Sequence, residues 1–196
     1  MVLAAGGGSR WQASLAAPPP SGVPGSNHGV AHKLLAPFQG ATVVEWAVRH
    51  AVAAGLSATW VVTGAVDLTG VLGSEVETLF NPSWAEGQAT SLGVAVARAR
   101  QQGVGALVVG LGDQPLVPPE AWAAVAASGA DIAVATYDGA RRNPVKLSAR
   151  TWDLLPAAGD EGARSLIRSR PDLVREVPCQ GNPVDIDTRE DLDRWS

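Results

Sequence analysis

Short apolar runs alternate with amphipathic stretches along the chain. VLAA (2–5), ATWVVTG (58–64), GALVVGLGDQP (105–115), DIAVATY (131–137) and LVREVP (173–178) read as strands, the third running into a turn. TVVEWAVRHAVAAG (42–55) reads as a helix, because Val44, Val48 and Val52 recur four apart and Gly55 stops it. TSLGVAVARARQQG (90–103) reads as another, with Thr90 or Ser91 as cap and Gly103 at its close. PPEAWAAVAASG (118–129) opens on proline, which suits a first helical turn. DEGARSLIRSR (160–170) stops before Pro171. TREDLDRW (188–195) carries Thr188 as N-cap and Asp191 at the third position, a capping-box variant.

This alternation predicts an α/β fold: a mostly parallel sheet with crossover helices on both faces, in a three-layer α/β/α, Rossmann-like arrangement. Ligands of such sheets bind outside the carboxyl ends of the strands. Four places qualify: the turns after VLAA, after WVVTG and after VVGLGD, and the loop around VDID. A length of 196 residues fits one domain over 1–196 with a sizeable core, and no internal repeat is visible. Segment 12–31 stands apart. It holds prolines at 18, 19, 20 and 24 among small residues, shows no period, and reads as a flexible Pro/Gly-rich insert. The first strand meets its glycine turn almost at once, whereas a strand usually has about five or six residues. A few residues before Met1 are therefore expected.

Composition narrows the class. A hydrophobic fraction of 46% with 17% charged residues suits a soluble enzyme, and a net charge of −4 argues against broad nucleic-acid binding. The single cysteine, Cys179, excludes an internal disulfide framework and reads as a strand-end packing residue. No apolar run reaches the roughly 18 residues of a membrane span, and no signal-peptide pattern opens the chain. The expected location is cytoplasmic, away from membranes. Lysine occurs only at 33 and 146.

LAAGGGSR is the first chemical signal. Glycines at 6, 7 and 8 allow close approach of a ligand, successive amides form an anion nest, Ser9 adds a hydroxyl, and Arg10 adds a forked cation suited to phosphate. The plainer alternative is a strand-to-helix turn with a surface arginine. Neither the dinucleotide fingerprint nor a Walker A loop matches, since no lysine follows until Lys33. GDQP places Asp113 at the ligand end of a strand, where a carboxylate suits Mg²⁺; capping of the helix near Pro118 is the alternative. In VDIDT, alternation sends Asp185 and Asp187 to one face. Gly87, Thr90 and Ser91 precede a helix and either cap it or meet a ribose or base. Arg142 and Asn143 face a second substrate or form a turn before Pro144. His28 and His32 fall in the insert, with no partner at ligand spacing, and read as solvated. Of the seven tryptophans, only Trp11 and Trp84 are placed in loops that can stack on a ring.

These motifs together resemble the MobA-like NTP transferase family, whose fold is GT-A-like. Leu3, Ala4, Ala5, Gly6, Gly8 and Arg10 match an LAAGxGxR signature, and Lys33, Leu34, Leu35, Pro37 and Gly40 match KLLxPxxG. NPSWAEGQATSLGVAVARA resembles the nucleotide-base loop and its helix, and GDQPLV the metal turn. RRNPVKLS, GDEGARSLIRSRP and VDIDTREDL resemble one branch, the molybdenum cofactor cytidylyltransferases. Two departures stand out: the insert separates the arginine from the lysine, and Trp11–Gln12 stands where Met-Gly is usual.

The resemblance implies a Mg²⁺-dependent nucleotidyltransferase that moves CMP from CTP to the phosphate of a small acceptor, molybdopterin or the molybdenum cofactor. It implies Leu3, Ala4, Ala5, Gly6, Gly7, Gly8, Ser9, Gly87, Thr90 and Ser91 around the nucleotide, and Arg10, Lys33 and Asp113 as catalytic groups. Asp113 and Asp187 would bind the metal, although Asp187 equally suits the helix dipole of 188–195. LAAG, where the guanylyl branch resembles LAGG, favours CTP. The sequence shows no convincing catalytic triad, and an ionised acceptor phosphate needs none. Two alternatives remain: guanylyl or other transfer to a sugar phosphate or phospholactate, and a non-catalytic nucleotide-binding module serving a molybdoenzyme.

Overall fold

Alternation along the central strands decides the architecture in a computed structural model that describes residues 1–16 and 32–196. The elements, in chain order, are β1 (Val2–Ala4), α1 (Ser9–Ala16), β2 (Pro37–Phe38), β3 (Ala41–Thr42), α2 (Val43–Ala53), β4 (Trp60–Thr63), β5 (Glu77–Phe80), α3 (Gln88–Gln101), β6 (Ala106–Leu111), α4 (Pro119–Ala127), β7 (Ile132–Tyr137), β8 (Ala140–Ser148), α5 (Arg164–Ser169), β9 (Val174–Pro178) and α6 (Arg189–Trp195). A seven-stranded sheet runs β5-β4-β1-β6-β8-β7-β9. Every neighbouring pair is parallel except the two that β8 makes with β6 and β7.

Leu3, Val62, Leu107, Val109, Ile132 and Val134 pack on one face with Leu92, Ala95 and Ala99 of α3 and Leu166 and Ile167 of α5. Val2, Val61, Val108, Ala133 and Ala135 pack on the other with Val44 and Val48 of α2 and Ala121, Trp122 and Val125 of α4. Period two thus supplies apolar side chains to both faces, and two helical layers cover them. A smaller cluster of Trp11, Phe38, Val43, Ile186 and Leu192 joins α1, the β2–β3 hairpin and α6 at one end. No helix among the described residues is long and apolar enough to cross a membrane.

Several local expectations change. Residues 12–16 continue α1 rather than opening a loop, and Trp11 is 2% exposed, in the core and unable to stack on a ligand. The rest of the insert, 17–31, lies outside the described residues, and so does His28. His32 is buried at 6% exposure, not solvated. RRNPVKLS is no turn but part of β8, whose register shifts between Val134 and Ala135: Val145 pairs with Val134 and Arg142 with Ala135, so Asn143 and Pro144 form a bulge. α3 starts at Gln88 with Gly87 as N-cap and without a side-chain cap. α5 starts only at Arg164, because Gly159 and Gly162 hold positive φ. Thr188 and Asp191 form the capping box on α6.

Candidate active site

The glycine loop is strung between the end of β1 and the first turn of α1. Ala65 N–H bonds the Ala5 carbonyl at 3.1 Å, and Gln12 N–H bonds the Gly8 carbonyl at 3.1 Å, which starts the helix. Gly8 has φ +65°, a value that glycine adopts without cost. Ser9 is the first residue of α1, and its exposure leaves the positive end of the helix open to anions. Trp84 closes the loop from the other side. A Cβ on Gly64 would meet Trp84 Cβ at 2.5 Å, and one on Gly7 would meet its ring at 3.0 Å.

Beyond the loop, four charged groups form a chain. Lys33 Nζ donates to Asp113 Oδ2 at 2.6 Å and to Asp187 Oδ1 at 2.5 Å, and its side chain is only 12% exposed. Arg10 Nη1 donates to the remaining Asp187 oxygen at 2.5 Å, but its guanidinium is 77% exposed. The sheet and the C-terminal segment set this geometry. Asp113 follows β6, Asp187 precedes α6, and Ile186 N–H bonds the Asp113 carbonyl at 2.8 Å. Burial disfavours the Lys33 ammonium, but Asp113 and Asp187 more than offset it, so its pKa is raised. Burial likewise opposes ionisation of Asp187; Lys33 and Arg10 outweigh it and hold that carboxyl below its ordinary value. Asp185 is pushed the other way, by burial first and then by the Asp113 charge, against a 2.8 Å hydrogen bond from Gln114.

Two neighbouring cavities lie beside the site, and the first reaches these charges through Asp113. The first, of about 300 Å³, is lined by Leu3, Ala5, Gly6, Gly7, Trp84, Gly87, Ser91, Asp113 and Asp160, among others. Gly87 is fixed there by φ +109° and by contact with Gly159. Ala4 turns away under α2 and α4, as strand alternation requires, and does not face this cavity. Nor is the Thr90 hydroxyl free for a ligand, because its one proton is shared between the Ser83 and Gly87 carbonyls and its oxygen accepts from Asn81, which shapes the loop before α3. Buried Asn81 ties Thr90 and Ser91 together through its amide nitrogen. The second cavity, of about 530 Å³, shares Leu3, Gln88 and Leu111 with the first. Its floor is apolar, and its rim carries Arg141, Arg142, Asn143, Arg164, Arg168 and Asp185, together with Glu161, which pairs with Arg168. Asn143 donates to Gln114, which in turn donates to Asp185, so the β8 bulge, the Asp113 turn and the C-terminal segment form one network.

Residues 1–175 match the profile of the MobA-like NTP transferase domain. The chain belongs to the MobA-like NTP transferase family. The activity that accompanies membership is nucleotidyl transfer. Among solved structures, a nucleotidyl transferase from Methanothermobacter thermautotroptrophicus (Mth528) is similar at 25% identity and a TM-score of 0.78, with 98% of this chain and 93% of that one covered. Rv0371c from Mycobacterium tuberculosis H37Rv is similar at 27% identity and a TM-score of 0.75, covering 98% and 94%. Its complex with manganese gives 25% identity and a TM-score of 0.76, covering 99% and 95%. No curated protein sequence matches.

The donor set of this MobA-like chain fits a hard divalent cation. Asp113 Oδ1 is buried with no hydrogen-bond partner, an arrangement that wants a cation. No group of three or more His, Cys, Asp or Glu side chains at ligand geometry occurs among the described residues. A cation here would rest on Asp113 and Asp187, with water and substrate oxygens completing its shell, as Mg²⁺ prefers. Sequence reasoning read His32 as solvated and did not single out Gln114, Asp160, Arg164 or Arg168, which line the two cavities. Four of these sit inside the GDQP and GDEGARSLIRSR segments, so the motif boundaries were the available signal.

Proposed function

We propose that this protein transfers CMP from CTP to the phosphate of a small acceptor, molybdopterin or the molybdenum cofactor, with release of pyrophosphate. The observation that carries the reading is the Lys33 bridge between Asp113 and Asp187, beside a glycine loop at a helix N-terminus. In the reaction an acceptor phosphate oxygen attacks the α-phosphorus of CTP. The new P–O bond replaces the α–β bridge and the electron pair leaves with pyrophosphate; the attacking phosphate oxygen is already ionised, so no general base is needed. Gly6 to Ser9 hold the β- and γ-phosphates, and Arg10 and Lys33 stabilise the leaving charge. A divalent ion on Asp113 and Asp187 supplies charge neutralisation; Mg²⁺ is the ion proposed, and the manganese in the Rv0371C complex supports a divalent site. The 300 Å³ cavity takes the nucleoside, with the Ala5 methyl in its lining favouring CTP. The 530 Å³ cavity takes the acceptor: its apolar floor suits a flat ring system, and its arginines suit a phosphate. The chain is read as one domain working in the cytoplasm.

Pyrophosphate release with CTP or GTP and Mg²⁺, with and without molybdopterin, tests this. Acceptor-dependent release with CTP is expected. Faster release with GTP overturns the base assignment. Nucleotide binding without turnover on any acceptor, sugar phosphates and phospholactate included, returns the protein to an accessory role beside a partner enzyme.

A further inference from the structure

His32 lies one residue before the lysine, yet its side chain reaches back to the glycine loop. Its Nε2 stands 2.9 Å from the Gly6 carbonyl oxygen, and its Nδ1 accepts the Leu34 N–H at 3.3 Å. Nδ1 is an acceptor there, so Nε2 carries the proton and donates to Gly6; one neutral tautomer satisfies both contacts. Burial lowers the ring's pKa, in keeping with that neutral form. Gly8 packs on the same ring, since a Cβ there would lie 3.3 Å from Nε2.

The consequence concerns the direction of an amide. In a trans peptide the C=O and N–H point opposite ways. Drawing the Gly6 carbonyl toward His32 therefore aims the Gly7 N–H away from the ring. Gly6 and Gly7 both line the cavity that holds Asp113. Glycine has no side chain to fix its peptide planes, so an external tether is needed to keep one orientation. The other ring nitrogen caps the 3₁₀ turn Lys33–Leu35, whose lysine bridges Asp113 and Asp187. We propose that His32 is a positioning residue: a single neutral ring that fixes the anion-binding peptide of the glycine loop and the lysine turn in one register, across a chain separation that would otherwise leave them independent. This rests on the reading that the loop binds a triphosphate.

Calorimetric titration of pyrophosphate with Mg²⁺ into the full chain tests it without reference to base or acceptor. His32→Gln returns a donor at the Nε2 position, whereas His32→Asn returns only an acceptor at the Nδ1 position. His32→Ala is expected to weaken pyrophosphate binding roughly tenfold, the scale of one lost hydrogen bond. His32→Gln is expected to recover most of the affinity and His32→Asn little. In turnover, KM for CTP rises and kcat falls while KM for the acceptor stays. If His32→Ala fails to fold, the Gln and Asn variants carry the comparison. Equal pyrophosphate affinity in the wild type and the folded variants overturns the role of His32 alone. A wild-type protein that binds no pyrophosphate overturns the triphosphate reading, and this inference with it.

Discussion

Ile186 donates its backbone N–H to the Asp113 carbonyl at 2.8 Å, and its side chain is fully buried beside Trp11, Phe38 and Leu192. Together with the Gln114 bonds to Pro183 and Asp185, that residue helps seat the C-terminal segment on the end of β6, and so sets where Asp187 meets Lys33. Ile186→Ala is expected to cost about 2–4 kcal/mol by urea unfolding, the usual range for a truncated core isoleucine. Turnover should fall even where the variant is fully folded, because Asp187 loses its footing. Unchanged turnover in the folded variant would show that the backbone bond to Asp113 and the Lys33 and Arg10 ion pairs hold Asp187 without the Ile186 side chain.

Lys33 occupies one oxygen of each of the two carboxylates that would hold a divalent ion. Lys33→Met keeps the length of the side chain and removes the charge, leaving Asp113 and Asp187 without their shared counterion. Without nucleotide, the variant should bind Mn²⁺ more tightly than the wild type. Its turnover should drop about 10²–10³-fold, the scale of losing one preorganised charge-stabilising group. Equal Mn²⁺ affinity in both proteins, measured by titration, would place the ion away from these carboxylates.

The three-layer fold was legible because Val61, Val108 and Ala133 alternate with neighbours of the opposite face, and because Val44, Val48 and Val52 keep a helical period. β8 was not, because Arg141, Arg142, Asn143 and Pro144 interrupt any alternation, and the bulge at Asn143 depends on pairing with β7 and on the bond to Gln114. The GGGSR loop and the GDQP turn announced themselves through residue types at strand ends. The link between them did not. His32 carries no local signal, since its partner Gly6 lies on the far side of the insert and their meeting depends on tertiary placement. Ala4 and Thr90 matched a motif, yet strand alternation and a loop hydrogen bond turn them away from the cavity.

Gly87 joins the loop before α3 to the turn before α5. A Cβ there would lie 2.4 Å from the Gly159 backbone carbon, which cannot yield as a flexible side chain would, and φ +109° is itself unfavourable for other residues. Gly87→Ala should destabilise the protein by more than about 2 kcal/mol, read as a lower urea midpoint. Where it remains folded, nucleotide affinity should fall while pyrophosphate affinity holds. A parallel loss of both would assign Gly87 to the phosphate side of the site.

Arg142 sits at the rim of the larger cavity, its Nη1 donating to the Arg141 carbonyl at 2.9 Å. Arg142→Ala should raise KM for the acceptor roughly tenfold, the worth of a charge-assisted hydrogen bond to phosphate, with KM for CTP unchanged. A rise in KM for CTP instead would exchange the two cavities.

Acid should weaken the fold as pH falls below about 6.5, and two histidines contribute to that loss. Burial lowers the pKa of His50 below 6.5, only partly offset by the Val117 and Pro115 carbonyls and the charge of Glu120. Burial lowers that of His32 as well. Between the folded and unfolded values the unfolded chain binds more protons, so stability rises with pH across that window and is lost as pH falls below about 6.5. Asp187 adds to the loss at lower pH: its depressed carboxyl stabilises the fold above its unfolded value of 3.8, and that contribution fades as pH drops through the folded one. Asp185 opposes it, because a raised carboxyl takes up its proton earlier in the folded state and favours folding on acidification. The buried Met1 ammonium, its pKa lowered from 8.0 to about 5, acts in the same direction as the histidines and over an overlapping window. The urea midpoint should therefore fall between pH 7.5 and pH 5.5, two conditions that bracket the ordinary histidine value of about 6.5. His50→Gln, which cannot take up a proton, should fall less over the same interval. An equal fall in the variant would move the acid sensitivity from α2 to other groups.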